Sequence, residues 1–187
     1  MGGKVNQTYI TLVPGDITQQ RVSAIANAAN SRLAGGGGVD GAIHRAGGPA
    51  IMAECDRIRQ EQGGCPTGQA VITTGGDLYA GYVIHTVGPV WEGGMSGEPE
   101  LLASCYRQSL KLAAENEIKT NAFPSISTGV YGYPIEKAAI VAIETVTLFL
   151  KENEGFKEVR FVLFNADDLK QYQKTNFVKT AKNEIRK

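Results

Sequence analysis

The sequence is expected to fold as one α/β domain of three layers, a largely parallel sheet covered by helices on both faces. Three observations carry this expectation. Short apolar runs alternate with longer segments of helical periodicity along the chain. No internal repeat is visible, and no linker divides the 187 residues, a length suited to one core. Strands separated by helices imply crossover connections, which join parallel strands.

Strand candidates, in order, are Tyr9–Val13, Ala24–Asn27, Gln69–Thr73, Tyr82–Val87, Ala122–Ile126 and Val159–Phe164. Each is short and mostly bounded by Gly, Pro, Asn or Asp, the residues that break ladders and make turns. Helix candidates are Val39–Ala46, Pro49–Gln62, Glu98–Asn116, Ile135–Asn153 and Asp167–Ile185. In the third, Leu101, Leu102, Cys105, Ser109, Leu112 and Ala113 share one face. Pro134 precedes the fourth, where its fixed φ suits a first turn.

Composition narrows the function. Lys+Arg and Asp+Glu are both 19, a formal net charge of zero, so no long-range field draws the protein to nucleic acid or membranes. A hydrophobic content of 42% argues against disorder. The basic stretch from Phe156 onward reads as a solvated amphipathic helix on the same domain. Cys55, Cys65 and Cys105 form no C-x-x-C, and only His44 and His85 could join them, so reduced thiols and no metal are expected. Met1 to Gln7 lacks the apolar core of a signal peptide. Ala138–Leu150 is too short for a bilayer and carries Glu144. A soluble cytoplasmic monomer is the expectation.

In open α/β sheets, ligands bind outside the carboxyl ends of the strands. Glycine is concentrated there: most of the 23 glycines lie between Gly35 and Gly97. The run Gly35-Gly36-Gly37-Gly38 before a helix suits an anion held by backbone N–H groups and the helix dipole, although a surface loop has the same composition. Gly36-x-Gly38-x-x-Gly41 also matches the dinucleotide fingerprint, but these glycines do not directly follow a strand. No Gly-Lys-Ser/Thr is present to make a Walker loop.

Asp40 opens the helix, as an N-cap or as a carboxylate facing the anion loop that polarises water. His44, four residues on, can orient that carboxylate, act as a base, or sit partly buried on backbone. His85, in an apolar run, reads as structural. Asn27 and Asn30 either shape a turn or meet sugar hydroxyls, and Asn30 is the nearer to the glycines. Ser127-Thr128-Gly129-Val130-Tyr131-Gly132, together with the helix that follows, forms a second cradle for phosphate, or a plain turn. Asp16 caps a turn or accepts from an exocyclic amine, and Phe164 reads as core before it reads as a base-stacking platform.

These segments resemble the signature blocks of a macrodomain, more narrowly of its MacroD-type branch. The blocks are Gly15-Asp16-Ile17-Thr18, Asn27-Ala28-Ala29-Asn30, Gly36 to Gly47, His85-Thr86-Val87-Gly88-Pro89 and Ser127 to Pro134, in the family's order across roughly residues 8 to 168. The resemblance implies a three-layer α/β/α sandwich around a mixed, mostly parallel sheet, with ADP-ribose bound in a cleft. It implies that Asp16 reads the adenine amine with Ile17 beside it, and that Phe164 stacks near the base. Gly36, Gly37, Gly38 and Val39 on one rim, and Ser127, Thr128, Gly129, Val130 and Tyr131 on the other, would enclose the diphosphate. Asn30, Gly37, Asp40 and Tyr131 would surround the distal ribose, and Asn27 would belong to the same site.

MacroD-type members remove ADP-ribose from acidic side chains and deacetylate O-acetyl-ADP-ribose. The implied activity is therefore a cofactor-free hydrolase acting on O-acetyl-ADP-ribose and mono-ADP-ribosylated proteins. Its water would be assisted by Asp40 and the substrate's own phosphate, with Asn30 orienting the ribose and His44 as a further catalytic candidate. The Cys/His motif of the zinc-dependent variants is not found. A non-catalytic ADP-ribose-binding module is the alternative, and a nicotinamide dehydrogenase a third reading.

Overall fold

The computed structural model describes residues 2–175. Its strands are β1 (Gly2–Val5), β2 (Thr8–Pro14), β3 (Ala24–Ala28), β4 (Ala70–Thr74), β5 (Tyr82–Thr86), β6 (Thr120–Phe123) and β7 (Glu158–Leu163). Its α-helices are α1 (Gly38–Gly47), α2 (Pro49–Gln62), α3 (Glu98–Glu115), α4 (Ile135–Glu152) and α5 (Ala166–Gln173), with a short 3-10 turn at Ile17–Gln19. The sheet runs β1-β2-β7-β6-β3-β5-β4. Pairs from β2 to β5 are parallel, and the edge pairs β1–β2 and β5–β4 are antiparallel. The mixed, mostly parallel sheet is thus present.

Side chains of successive strand residues point to opposite faces, and the two core layers follow from that alternation. Phe161 and Ile84 meet Leu102, Tyr106, Leu110 and Ala142 on the α3–α4 side. Their neighbours Val162 and Val83 face Ile43, Ile51 and Cys55 on the α1–α2 side. No helix among the described residues is long and apolar enough to cross a membrane.

Differences from the expected elements have local causes. β1 is an unexpected strand: Gly2–Val5 carries no apolar alternation and is held by backbone pairing with Thr8–Thr11. β6 stops at Phe123 rather than Ile126 because Pro124 has no N–H to offer the ladder. α5 ends at Gln173 with Lys174 as its C-cap, short of the expected Ile185, and is capped at its start by Asn165 Oδ1 accepting from the Asp168 N–H at 2.8 Å. Lys174 and Thr175 already leave the helix, and the rest of the expected segment, residues 176–185, lies outside the described residues.

Glu98 organises the loop that braces one wall of the future cleft. Only 2% exposed, it accepts N–H bonds from Glu92 (3.0 Å), Gly94 (2.9 Å) and Ser96 (2.6 Å). The same loop sends the Trp91 N–H to the Tyr131 carbonyl at 2.8 Å and packs the Trp91 ring, tilted by 53°, with its centroid 4.5 Å from that of Tyr133. Its own backbone N–H, then those of Gly94, Glu92 and Ser96, hold the Glu98 carboxyl down at about 2 despite the opposing effect of burial. A carboxyl depressed from its ordinary 4.5 stabilises the fold fully above that pH and loses the contribution as pH falls toward 2. Glu98→Gln is therefore expected to melt below the parent at neutral pH, with the gap closing through that acid window. Thermal melts across pH check this, and a gap independent of pH would contradict it.

Candidate functional site

The carboxyl ends of β2, β3, β6 and β7 open into a cleft of about 760 Å³. Glycine chemistry forms one rim. Gly35 and Gly38 have φ of +73° and +57°, which only glycine adopts without strain. Gly37 caps α1, and side chains added at Gly37 or Gly38 would enter open space. The first turn of α1 thus offers its N–H groups to the cleft, an arrangement that favours an anion. A Cβ on Gly41 would lie 2.3 Å from the Gly36 carbonyl oxygen, so the helix and the loop rest directly on each other.

Asp40 is not the helix cap, which is Gly37. It is 6% exposed and lies in the first turn at the cleft floor. Its Oδ1 accepts from Asn27 Nδ2 at 2.7 Å and stands 3.4 Å from His44 Nε2. Its Oδ2 has no partner among the described residues and lies next to Gly36, 3.2 Å from where a Cβ would stand. Asn30 lines the cleft and also braces the glycine loop: its Nδ2 donates to the Gly35 carbonyl at 2.8 Å. Both readings of Asn30 are thus compatible with one rotamer.

The opposite rim is the segment after β6. Ser127 adopts a left-handed φ of +66°. It is buried against Gly88, where any Cβ would meet the Ser127 hydroxyl oxygen at 2.1 Å. Thr128 Oγ1 donates to the Ser125 carbonyl at 3.0 Å, and Gly132 N–H to Gly129 at 2.9 Å. These bonds shape the turn that projects Val130, 97% exposed, over the cleft beside Tyr131. α4 does not complete this cradle: it starts at Ile135, beyond the residues that line the cleft. Only the loop contributes.

At the far end, Asp16 Oδ1 accepts from the Thr18 N–H and hydroxyl, both at 2.8 Å, leaving Oδ2 without a protein partner among the described residues. Ile17 is buried beside it. Phe164 corrects the residue-level reading, which placed it in the core: it is 82% exposed at the cleft edge. The strand ends one residue earlier, at Leu163, so Phe164 leaves the alternation that would have turned it inward.

The cleft brings together every expected residue except Asn27 and His44. Asn27 is 0% exposed, and it reaches the cleft only through Asp40. His44 touches Asp40 from behind. Arg45, Ser125, Asn165 and Asp168 line the cleft and were not among the candidates. Asn165 and Asp168 belong to the polar run after the last strand, and Pro124 was the signal that Ser125 leaves its strand. Burial raises the Asp168 carboxyl above its ordinary value.

His44, Cys55 and His85 place ligand-type atoms within 4.8 Å of one another. They do not fit a metal. Both His85 nitrogens are engaged, by Asn27 Nδ2 at 3.1 Å and Thr73 Oγ1 at 2.9 Å. Burial also pushes the Cys55 thiol up to about 11, away from the thiolate a metal needs.

Fold and cleft together define a three-layer α/β/α domain whose cleft is lined by a glycine loop at a helix N-terminus and by the Asp40 carboxylate. The macro domain family model matches residues 26–142. The chain belongs to the macro domain family. A macro domain-containing protein of Caldanaerobacter subterraneus subsp. tengcongensis is 61% identical over 165 residues, 88% of this chain and 94% of the relative. An O-acetyl-ADP-ribose deacetylase of Cronobacter sakazakii is 53% identical over 174 residues, 93% and 94% of the two chains. The solved Oceanobacillus iheyensis macrodomain with ADP superposes with a TM-score of 0.91 at 44% identity, covering 99% of this chain and 97% of that one.

Proposed function

We propose that this chain binds ADP-ribose in the cleft and hydrolyses its esters, both O-acetyl-ADP-ribose and mono-ADP-ribose carried on acidic side chains of proteins. The observation that carries the reading is Asp40, a buried carboxylate set beside the glycine loop, with Oδ2 unpartnered among the described residues. A carboxylate there weakens phosphate binding by repulsion, so binding alone does not account for it. As a base for water it has a chemical reason. The Cronobacter relative's name and the ADP held by the Oceanobacillus domain support the same ligand class.

In this reading the diphosphate accepts N–H bonds from the Gly36–Gly38 loop and the Ser127–Tyr131 turn, which suits a protein of zero net charge. Asp16 Oδ2 accepts from the adenine amine, and Phe164 stacks on the base. The distal ribose then sits between Asn30 and Asp40, with its ester toward the mouth of the cleft. Asp40 Oδ2 accepts a proton from water as the water attacks. The ester C–O bond breaks, the proton held by Asp40 passes to the departing oxygen, and the acetyl group or the protein carboxyl group is released as the acid along with free ADP-ribose. The substrate's own phosphate assists the same water.

Turnover of O-acetyl-ADP-ribose and of protein modified on glutamate or aspartate tests the reading. In labelled water, ¹⁸O recovered in acetate marks attack at the acyl carbon, and ¹⁸O in ADP-ribose attack at the anomeric carbon. Tight ADP-ribose binding without turnover of either ester would make the chain a binding module. Calorimetric titration of NAD against ADP-ribose separates a dehydrogenase from both.

Phe164→Ala offers a separate check on the adenine end. An 82% exposed ring contributes little to the core, so the melting temperature is expected to stay put. Base–aromatic stacking of about 1–3 kcal/mol corresponds to about 5- to 150-fold weaker ADP-ribose binding, by calorimetry. Unchanged affinity would remove Phe164 from the site.

A further inference from the structure

Behind Asp40 a chain of polar side chains crosses the sheet, wholly inside the protein. Thr73 in β4, His85 in β5 and Asn27 in β3 are 2%, 0% and 0% exposed. Thr73 Oγ1 lies 2.9 Å from His85 Nε2, His85 Nδ1 lies 3.1 Å from Asn27 Nδ2, and Asn27 Nδ2 lies 2.7 Å from Asp40 Oδ1. Asn27 and His85 are register partners in adjacent parallel strands, so the sheet itself sets their spacing.

The chemistry of each group allows one direction only. A carboxylate accepts, so the Asn27 amide must present N–H to Asp40. The second N–H of the same nitrogen meets His85 Nδ1, which must then be the unprotonated nitrogen. The His85 proton therefore sits on Nε2 and is donated to Thr73 Oγ1, which donates in turn to the Thr74 carbonyl at 3.0 Å. Flipping the Asn27 amide would set a carbonyl against the Asp40 carboxylate and leave Nδ2 in place of Oδ1, a buried atom that has no partner.

We propose that Asn27 and His85 are positioning residues for the reaction: by this one-way chain they hold Asp40 Oδ1 and leave Oδ2 as the oxygen that meets water in the cleft. The proposal rests on reading Asp40 as the reacting carboxylate. It assigns no substrate contact to either residue. Burial, and next the neighbouring His44, push the His85 ring down to about 3, so it remains neutral and one-directional across the working pH range.

The wild-type protein tests the chain without any substitution. ¹⁵N NMR of the His85 ring is expected to place the proton on Nε2, with no titration above about pH 4. Kinetics on O-acetyl-ADP-ribose test the role. Asn27→Asp puts an acceptor where a donor is needed, and a misaimed Asp40 is expected to cost about 100-fold in kcat with KM within about threefold. His85→Asn retains an acceptor near the Nδ1 position and is expected to stay within about fivefold of the parent kcat, whereas His85→Leu, which offers none, loses about 30-fold. A purely structural role would lower the melting temperature of both His85 variants without separating their kcat values.

A proton on Nδ1, parental kcat in folded Asn27→Asp, or equal losses in the two His85 variants would overturn the proposal. Should Asn27→Asp not fold, the tautomer and the His85 pair still decide it. A wild-type protein inert on both esters fails the functional reading and the positioning role together, even with the expected tautomer. Turnover with the wrong tautomer or the wrong ordering fails the chain alone.

Discussion

Asp40→Ala is expected to lower ester turnover by about 100-fold or more, while ADP-ribose affinity stays within about tenfold of the parent. The asymmetry follows from the division of labour in the cleft. In the proposed reading, diphosphate binding rests on backbone N–H groups of the glycine loop and the Ser127–Tyr131 turn, which the substitution leaves in place. Removing a negative charge beside that loop relieves repulsion, so affinity can even rise. Turnover loses the group that takes the proton from water. The same change orphans one Asn27 N–H, at a cost of about 1–3 kcal/mol in stability. Asp40→Asn is the control, because its carbonyl still accepts from Asn27 while the base is gone. Single-turnover kinetics and calorimetry on both variants measure the two effects, and unchanged turnover would remove Asp40 from the chemistry.

Gly41→Ala is expected to weaken ADP-ribose binding by about 10- to 100-fold, although alanine is the better helix former. In a free helix the exchange would gain up to about 1 kcal/mol. Here the added Cβ would stand 2.3 Å from the Gly36 carbonyl oxygen, and this is backbone that cannot step aside as a long side chain would. Helix and loop must separate, and the loop N–H groups leave their common focus. Hydrogen bonds to a charged group are worth about 1.5–3 kcal/mol each, so losing one accounts for the expected range. Calorimetric titration reads the affinity, and a melting temperature at or above the parent's would contradict the steric account.

Much of the fold was legible because its signals are local. Hydrophobic period, Pro and Gly marked the central strands and the four helices from Gly38 to Glu152 to within a few residues. β1 was not legible, since Gly2–Val5 is recruited by the neighbouring backbone rather than by any pattern of its own. In the cleft, Asp16 and the Ser127–Tyr131 segment could be found because each comes after a strand at the edge where α/β folds bind ligands, and the glycine run because it opens a helix. Phe164 was misplaced by the residue-level reading because one residue of strand length decides whether it faces core or solvent. Asn27 looked like a ligand contact because residue type cannot tell a group that touches a substrate from one that touches Asp40, whereas His44 lies against Asp40 as one of its readings had it.

The sequence by itself determined the order of the elements, the edge at which the polar loops gather and the glycine positions whose backbone angles no other residue adopts readily. Each of these depends on neighbours within a few residues. Tertiary structure decided which oxygen of Asp40 is held and which has no partner among the described residues. That depends on Asn27, 13 residues away, and on His85, 58 residues beyond Asn27, two side chains that only the parallel pairing of β3 and β5 brings together. A hydrogen bond needs its partners within about 3 Å and correctly aimed. Spacing along the chain carries no such information until the sheet has set the register.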